Sequence, residues 1–374
     1  STMHALFNPT LMDYIIASHQ DIAYNALTFH RDIRLSAEET SIKERGTQIP
    51  LWNQGEASVG WPNYQAGNVA LVFATLWTPP WKYRGGEWDL QAHQNTRQGS
   101  LCYRQQLDYY RRLCDESPHM FRLVTSRRDL EQVLTPYEEN LDQSEKSVGF
   151  VLLMEGAEGL LSPDELEEFA ALGVRQVGPV WAGTRYFSGS KEEHPFDREG
   201  RHILDVMSSL KIALDVSHMS ERSILTALEN FDGVVFASHA NARRPLRNTC
   251  GERHLTDQTI HALIERDAVI GVIPYNLFLH PDWTFNTPYV SVTLDHLVEQ
   301  IDYYCQLAGD ARHTGIGSDL DGGFGYPNIP APMRSISDLQ KLKPLLLKKG
   351  YTEADVADIF GRNWKKHLET ILPE

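Results

Sequence analysis

Cysteine is scarce in this sequence: 374 residues include only Cys102, Cys114, Cys250 and Cys305. None of the four stands in a CxxC pair or at the Cys/His spacing of a zinc finger, and scattered thiols in so long a chain do not resemble a disulfide framework. We therefore expect a protein of a reducing compartment, which makes a cytoplasmic location the default.

Long apolar runs and positive charge are deficient as well. No stretch approaches the ~18 apolar residues of a membrane span, and no cationic segment precedes an apolar one near the start, so we expect neither a membrane partner nor an export leader. The chain has 35 Lys and Arg residues against 50 Asp and Glu residues, a net charge of −15. Nucleic-acid binding needs clustered positive charge, and because no such stripe occurs we expect no nucleic-acid partner.

What the sequence does contain is a repeat of short apolar runs, each followed by a longer stretch with helical spacing, which is typical of parallel βα units. Two of the helical stretches open on cap residues, Ser220 and Thr256. The eight predicted strands are residues 14–18, 68–76, 149–154, 174–180, 212–217, 233–238, 268–274 and 313–318.

Eight such units predict a (β/α)8 TIM barrel of the metal-dependent hydrolase type. An open doubly wound sheet is the alternative, but "SHQDIAYNA" follows the first strand where that fold usually carries GxGxxG. We predict a single domain over residues 1–374, with a loop insertion at about 35–64 and a C-terminal extension at about 326–374.

Polar residues end several of these strands, and in a barrel such residues gather at the carboxyl-terminal end. Three runs finish in Ser-His, and acidic residues follow or end others. Glu158 and Asp321 stay open as competitors of their acidic neighbours. The candidate set is His19, Asp21, Glu155, His218, His239 and Asp319.

Three imidazoles and three carboxylates exceed what one tetrahedral zinc uses, so the set indicates two divalent metal ions. A two-metal site suits hydrolysis of an amide or ester. Glu155 is the natural bridging ligand, because a carboxylate has one oxygen for each metal. Strand alternation also predicts that Leu214 and Val216 face the same side as His218, with Asp215 facing away.

The motifs "SHQD", "MEGAEGL", "LDVSHMSE", "ASHANAR", "RHLTD", "GIGSDLDGG" and "GRNW" resemble the membrane (renal) dipeptidase family of zinc peptidases, within the amidohydrolase-type barrels. The resemblance runs from about residue 14 to residue 364. It implies that His19, Asp21 and Glu155 hold one zinc, that Glu155, His218 and His239 hold the other, and that Asp319 is the catalytic acid and base. It also implies a dipeptide as the small-molecule partner and is compatible with a homodimer.

The same resemblance assigns substrate contacts. Arg253 in "GERHLTD" corresponds to the arginine that grips the substrate carboxylate, with Arg247 as the alternative, and Tyr275 lines the pocket. Trp181 stands where renal-type members carry a histidine that polarises the scissile carbonyl. An indole N–H donates one hydrogen bond but takes no positive charge, so Arg185 or Tyr186 becomes a candidate for that task.

The predicted function is metal-dependent hydrolysis of dipeptides, or of similar small amides with a free carboxylate, by a water activated at two zinc ions. One alternative keeps the barrel and changes the substrate to an acyl-amino acid, lactone or phosphoester. Phosphotriesterase-like relatives bridge their metals with a modified lysine, and no lysine ends the fourth strand. The other alternative is a catalytically silent binding protein, with Trp181 as the sign of lost chemistry.

Overall fold

The computed structural model describes residues 12–183, 185–247 and 249–374, and in these residues nine strands form one parallel sheet. Around the sheet the strands follow the order β7-β6-β5-β4-β2-β1-β9-β8. The strands are β1 (Ile15–Gln20), β2 (Val69–Trp77), β3 (Phe121–Leu123), β4 (Val148–Glu155), β5 (Gln176–Gly178), β6 (Ala213–Asp215), β7 (Val235–Phe236), β8 (Ile270–Val272) and β9 (Thr314–Ser318).

The sheet nearly closes on itself between β7 and β8. Ala237, just after β7, bridges to Ile270 of β8, and its N–H donates to the Val269 carbonyl at 3.0 Å. An eight-strand parallel barrel results, which confirms the predicted fold class. The ninth strand, β3, was not predicted. It has only three residues, with the exposed Arg122 at the centre, which is too short for apolar periodicity to indicate a strand. It pairs with the start of β4, outside the barrel path.

Helices cover the outside of the barrel. Two of them begin at the predicted caps, where the Ser220 hydroxyl accepts from the Ser223 N–H and the Thr256 hydroxyl from the Thr259 N–H. The helices are α1 (Ile22–Phe29), α2 (Ala37–Glu44), α3 (Ile49–Trp52), α4 (Trp61–Ala66), α5 (Thr96–Glu116), α6 (Arg127–Glu138), α7 (Leu166–Ala171), α8 (Arg198–Leu210), α9 (Glu221–Glu229), α10 (Asp257–Glu265), α11 (Leu294–Ala308), α12 (Leu342–Lys349), α13 (Glu353–Ala357) and α14 (Asn363–Ile371).

Apolar side chains divide into two layers because strand residues alternate between faces. Phe73 of β2 and Leu153 of β4 belong to the inner cluster, which Trp364 of α14 joins; the Phe73 and Trp364 rings lie 5.2 Å apart. Leu152 and other residues of the opposite strand face pack against the helices. Apolar side chains therefore fill the interior of the barrel, and the polar side chains of the inner face lie at the carboxyl-terminal ends of the strands.

The predicted insertion and the predicted C-terminal extension meet beside that end of the barrel. Residues 35–64 contain α2, α3 and the start of α4, and the chain after residue 326 contains α12, α13 and α14. Glu56 and Tyr326 exchange backbone hydrogen bonds of 2.7 and 3.0 Å. The single-domain organisation over residues 1–374 stays a prediction, because residues 1–11 lie outside the described residues.

Two expectations from composition concern the cysteine thiols and the apolarity of the helices. All four cysteines are free thiols there. Among the described helices, none combines the length and the apolarity that crossing a membrane would need.

Candidate metal centre

The six predicted residues lie together at the carboxyl-terminal end of the barrel. His19 is in β1 and Glu155 ends β4, while Asp21 and Asp319 come just after β1 and β9. His218 and His239 follow β6 and β7. Because every strand is parallel, all six side chains reach one rim.

The Glu155 carboxylate is the centre of the cluster. Its Oε2 lies 3.2 Å from His19 Nε2, 3.0 Å from His218 Nε2 and 3.2 Å from His239 Nε2. Three overlapping groups offer ligand atoms that all lie within 4.8 Å of one another: His19, Asp21 and Glu155; Glu155, His218 and His239; and His19, His239 and Asp319. The first two groups are the two ligand sets that the family resemblance implies, and they share Glu155.

Left-handed backbone conformations direct two of these side chains. His218 has φ of 72° and Asp319 has φ of 64°, values uncommon for residues other than glycine. The chain after β6 therefore turns sharply instead of continuing as a strand. Such conformations cluster at functional sites, where the surrounding structure maintains them.

The hydrogen bonding of the histidines fits bound cations. Both ring nitrogens of His19 are buried without a hydrogen-bond partner. The Nε2 atoms of His218 and His239 face each other at 3.1 Å. Burial lowers the pKa of His218 to about 4 and that of His239 well below its usual value, which favours the neutral ring in both. A neutral imidazole with a free lone pair is the form that binds zinc.

Glu155 and Asp319 are both buried, but their pKa values shift in opposite directions. Burial would raise the pKa of Glu155, but the neighbouring His19, together with His218 and His239, holds it well below its usual value. Burial raises the pKa of Asp319 well above its usual range, since His19 only partly offsets it. Glu155 is therefore the fixed anion of the cluster, and Asp319 is the carboxyl that holds a proton most easily.

A hydrogen-bond chain lies directly behind His239. Asp215 Oδ2 accepts from the Ser238 hydroxyl at 2.5 Å, and Ser238 Oγ lies 2.8 Å from His239 Nδ1. The prediction for Asp215 was wrong: it faces the cluster, whereas Leu214 and Val216 pack in the layer beneath the helices. Strand alternation fails here because β6 ends at Asp215 and the chain turns before reaching His218.

Glu158 and Asp321, the alternatives to Glu155 and Asp319, bind other parts of the chain. Glu158 Oε1 accepts backbone N–H groups of Trp181 and Ala182 at 2.8 and 3.0 Å, and so holds the loop after β5. Asp321 accepts from the Ser58 N–H at 2.8 Å and lies 3.7 Å from Arg31. Neither residue belongs to the groups of ligand atoms around Glu155.

A cavity of about 310 Å³ opens above the cluster, with Glu155, His218, His239 and Asp319 in its wall. Trp181 also lines the cavity, and its ring centroid lies 6.2 Å from that of His218. The other two carbonyl-polarising candidates are turned away from it. Arg185 Nη1 donates to the Leu160 carbonyl at 2.5 Å, and the Tyr186 hydroxyl donates to the Ala157 carbonyl at 3.2 Å.

Sequence reasoning missed most of the remaining cavity wall. Trp52 comes from the predicted insertion, Trp77 ends β2, and Trp88 lies in the loop that follows. Only Trp77 carried a signal, since it stands at a strand end as the histidines do. The positions of Trp52 and Trp88 depend on how long loops fold over the barrel.

A model of the membrane dipeptidase family, peptidase family M19, matches residues 13–371. The chain belongs to this family. Membership confirms the family predicted from the motifs, and it places the protein among metallopeptidases, enzymes of the hydrolase class, in a family of dipeptidases. The described His, Asp and Glu cluster is compatible with the metal that this class implies.

Relatives in the family are distant in sequence and similar in fold. A Klebsiella pneumoniae protein, described as an uncharacterized protein in the pqqA 5' region, is 28% identical over 278 residues, 71% of this chain and 95% of that protein. The crystal structure of the M19 dipeptidase AC has a TM-score of 0.76 at 21% identity, covering 97% of this chain and all of that one. A metallopeptidase from Rhodobacter sphaeroides, liganded with a phosphinate mimic of the dipeptide L-Ala-D-Ala, has a TM-score of 0.75 at 20% identity over 96% and 99%.

The predicted substrate contacts of this M19 chain lie in three different surroundings. Arg253 is buried behind His239, with Nη2 donating to the His239 carbonyl at 2.8 Å and Nη1 without a partner. Arg247 is exposed and pairs with Asp282 at 2.6 Å. Tyr275 stacks on Phe324 with ring centroids 4.2 Å apart and lies behind the cavity wall. Its hydroxyl donates at 3.3 Å to Gln54, which lines the cavity.

Proposed function

We propose that this protein hydrolyses dipeptides, or closely similar small amides with a free carboxylate, at a centre of two divalent metal ions, most suitably Zn²⁺. The observation that carries the proposal is the position of Glu155, whose carboxylate lies between one ligand set from β1 and another from the turns after β6 and β7.

In this proposal His19, Asp21 and Glu155 hold one metal, and Glu155, His218 and His239 hold the other. Two bound metals supply an activated water and polarise the carbonyl of the scissile bond. Glu155 serves catalysis by keeping both ligand sets in one geometry. Its lowered pKa supports that role, because the neighbouring histidines favour the ionised carboxylate.

Asp319 is the group proposed to move the proton. It lies 3.6 Å from His19 Nε2 at the cavity wall, and its raised pKa suits a carboxyl that first accepts a proton and then donates it to the leaving amine. General acid–base catalysis of this kind contributes about 10² to 10⁴ in rate.

Arg253 is proposed to bind the carboxylate of the substrate. Its unpartnered Nη1 leaves hydrogen-bonding capacity, and Asp319 is the anion that acts on it most strongly. Arg247 is the weaker choice because it already pairs with Asp282 at the surface. Trp181 and Tyr275 are proposed to shape the substrate pocket, with the Trp181 indole beside the cluster and Tyr275 supporting Gln54.

Metal analysis and a substrate panel test the proposal together. We expect about two tightly bound divalent ions per chain, and loss of bound metal in the double variant His218→Ala with His239→Ala. A second double variant, His202→Ala with His261→Ala, alters two exposed histidines and serves as the matched control. Fewer than one ion per chain, or unchanged metal content in the first variant, contradicts the proposal.

The panel compares dipeptides with acyl-amino acids, lactones and phosphoesters, with and without added zinc. Ala-D-Ala belongs in it because the Rhodobacter sphaeroides relative binds a mimic of L-Ala-D-Ala. We expect turnover of dipeptides that chelation abolishes and zinc restores. Faster turnover of another substrate class reassigns the reaction, and metal-independent ligand binding without any turnover indicates a silent barrel.

A further inference from the structure

An unbroken series of aromatic rings forms one wall of the cavity. At the mouth Trp52 stacks on Trp88 with centroids 5.1 Å apart, and Trp88 lies 5.4 Å from Phe29. The rings continue by edge contacts of 6.3, 4.5, 5.2 and 6.2 Å. This aromatic belt consists, in order of contact, of Trp52, Trp88, Phe29, Tyr24, Trp77, Trp181 and Tyr83.

The aromatic belt begins beside the metal ligands. Trp77 ends β2 at the position paired with Glu155 of β4, and Trp181 lies 6.2 Å from His218. From there the rings lead outward to Trp52, whose side chain is 38% exposed at the mouth. A substrate can therefore place its scissile bond at the cluster and, at the same time, a side chain along the belt.

The barrel order decides which end of a dipeptide faces the belt. In the ring of eight strands β2 stands four places from β7 in either direction, so the two strands lie on opposite sides. Trp77 ends β2, whereas Arg253 follows β7 and donates to the His239 carbonyl. A substrate whose carboxylate binds Arg253 consequently points its amino-terminal residue at the belt, an argument that rests on the proposed function.

The charges along the belt disfavour a cationic group there. Lys191 Nζ lies 5.2 Å from the ring centroids of both Tyr83 and Trp181, so these faces already contact a positive charge. Away from the cluster around Glu155, the described cavity wall has one carboxylate, Asp89, which accepts from the Gly85 N–H at 3.2 Å and is influenced by the positive charge of Arg84. An uncharged ring gains most from such a surface, because aromatic groups stack edge to face and bury a large apolar area.

We propose that the aromatic belt is the binding pocket for the amino-terminal side chain of the substrate, and that the protein prefers dipeptides whose amino-terminal residue is aromatic. Because Trp52 is 38% exposed, it can be substituted without disturbing the core. Trp81 is the matched control, since it is 39% exposed on a nearby segment and does not line the cavity.

The experiment measures kcat/KM for Phe, Ala, Lys and Glu at the amino-terminal position, each with the same carboxyl-terminal residue. We expect Phe to exceed Ala by about tenfold or more, the discrimination that a hydrophobic pocket typically provides. Trp52→Ala should bring the Phe-to-Ala ratio down several-fold, Trp52→Phe should largely restore it, and Trp81→Ala should leave it unchanged. Melting temperatures show whether each variant is folded.

The outcomes separate this inference from the proposed function. If Ala and Phe dipeptides are cleaved equally well, or if Trp52→Ala leaves their ratio unchanged, the pocket assignment is wrong while dipeptide hydrolysis stands. If the Lys dipeptide is the best substrate, the belt binds cations and the aromatic preference is overturned. If no dipeptide is cleaved by the zinc-loaded protein, the proposed function itself fails.

Discussion

The carboxylate of Asp215 and the hydroxyl of Ser238 form a buried 2.5 Å hydrogen bond behind the candidate metal centre. Since that hydroxyl has a single proton and gives it to Asp215, its oxygen accepts the proton of His239 Nδ1, 2.8 Å away. The unprotonated nitrogen of His239 is then Nε2, the atom that lies 3.2 Å from Glu155. Asp215 therefore sets which nitrogen of His239 is available to a metal.

Removing this support should weaken metal binding. For Ser238→Ala we expect about a 10- to 100-fold loss of metal affinity, the usual effect of deleting a group that orients a ligand. Competition with a chelator measures it. Ser126→Ala is the control: it deletes a hydroxyl that caps α6 far from the centre, and should cost about 1 kcal/mol of stability without changing metal affinity. Equal metal affinities in the two variants would contradict the assigned role.

Asp319 and Asp321 should separate into a catalytic and a structural carboxylate. Asp319→Asn keeps the shape of the site but moves no proton, so we expect kcat to fall by about 10² to 10⁴ with metal still bound. Asp321→Asn should instead lower the free energy of unfolding, because Asp321 accepts from Ser58 and faces Arg31. Steady-state kinetics and urea unfolding measure the two effects, and a larger loss of kcat in Asp321→Asn would reverse the assignment.

Arg253→Gln should raise KM for dipeptides. A charge-assisted hydrogen bond contributes about 1.5 to 3 kcal/mol, so we expect a rise of about 10- to 100-fold. A dipeptide amide, which lacks the carboxylate, should bind the variant and the native protein equally. Arg247→Gln provides the comparison at the surface. A larger effect from Arg247→Gln would make that residue the carboxylate ligand.

Protonation of His367 should destabilise the fold in acid. Burial lowers its pKa from about 6.5 to about 3, and its Nε2 lies 3.0 Å from Gln176 Oε1. The unfolded chain therefore binds a proton that the native protein excludes, so this contribution is complete above pH ~6.5 and is lost as pH falls toward 3.

Urea unfolding between pH 4.5 and 7.5 measures this dependence. In the region where only the unfolded chain is protonated, His367 contributes a slope of about 1.4 kcal/mol per pH unit. His367→Gln, which keeps a donor for Gln176, should reduce the slope by that amount. An unchanged slope would show that other groups account for the acid sensitivity.

Most of the candidate metal centre follows from local sequence. Each of the six residues stands at or just beyond the end of an apolar run, and parallel strands bring such ends to one rim whatever the loop lengths. The pair Glu155 and Glu158 could not be separated in this way. Which carboxylate reaches the cluster depends on the loop after β5, whose backbone N–H groups bind Glu158.

By itself the sequence determined the barrel, its family and the residues of the candidate metal centre, because strand periodicity and strand endings are local properties of the chain. Tertiary structure alone decided the direction of Asp215, since a sharp turn with His218 at φ of 72° interrupts strand alternation. It also decided the aromatic belt. Its rings come from α1, α3, β2 and separate loops, and residues so far apart in the chain meet in one wall only through long-range packing.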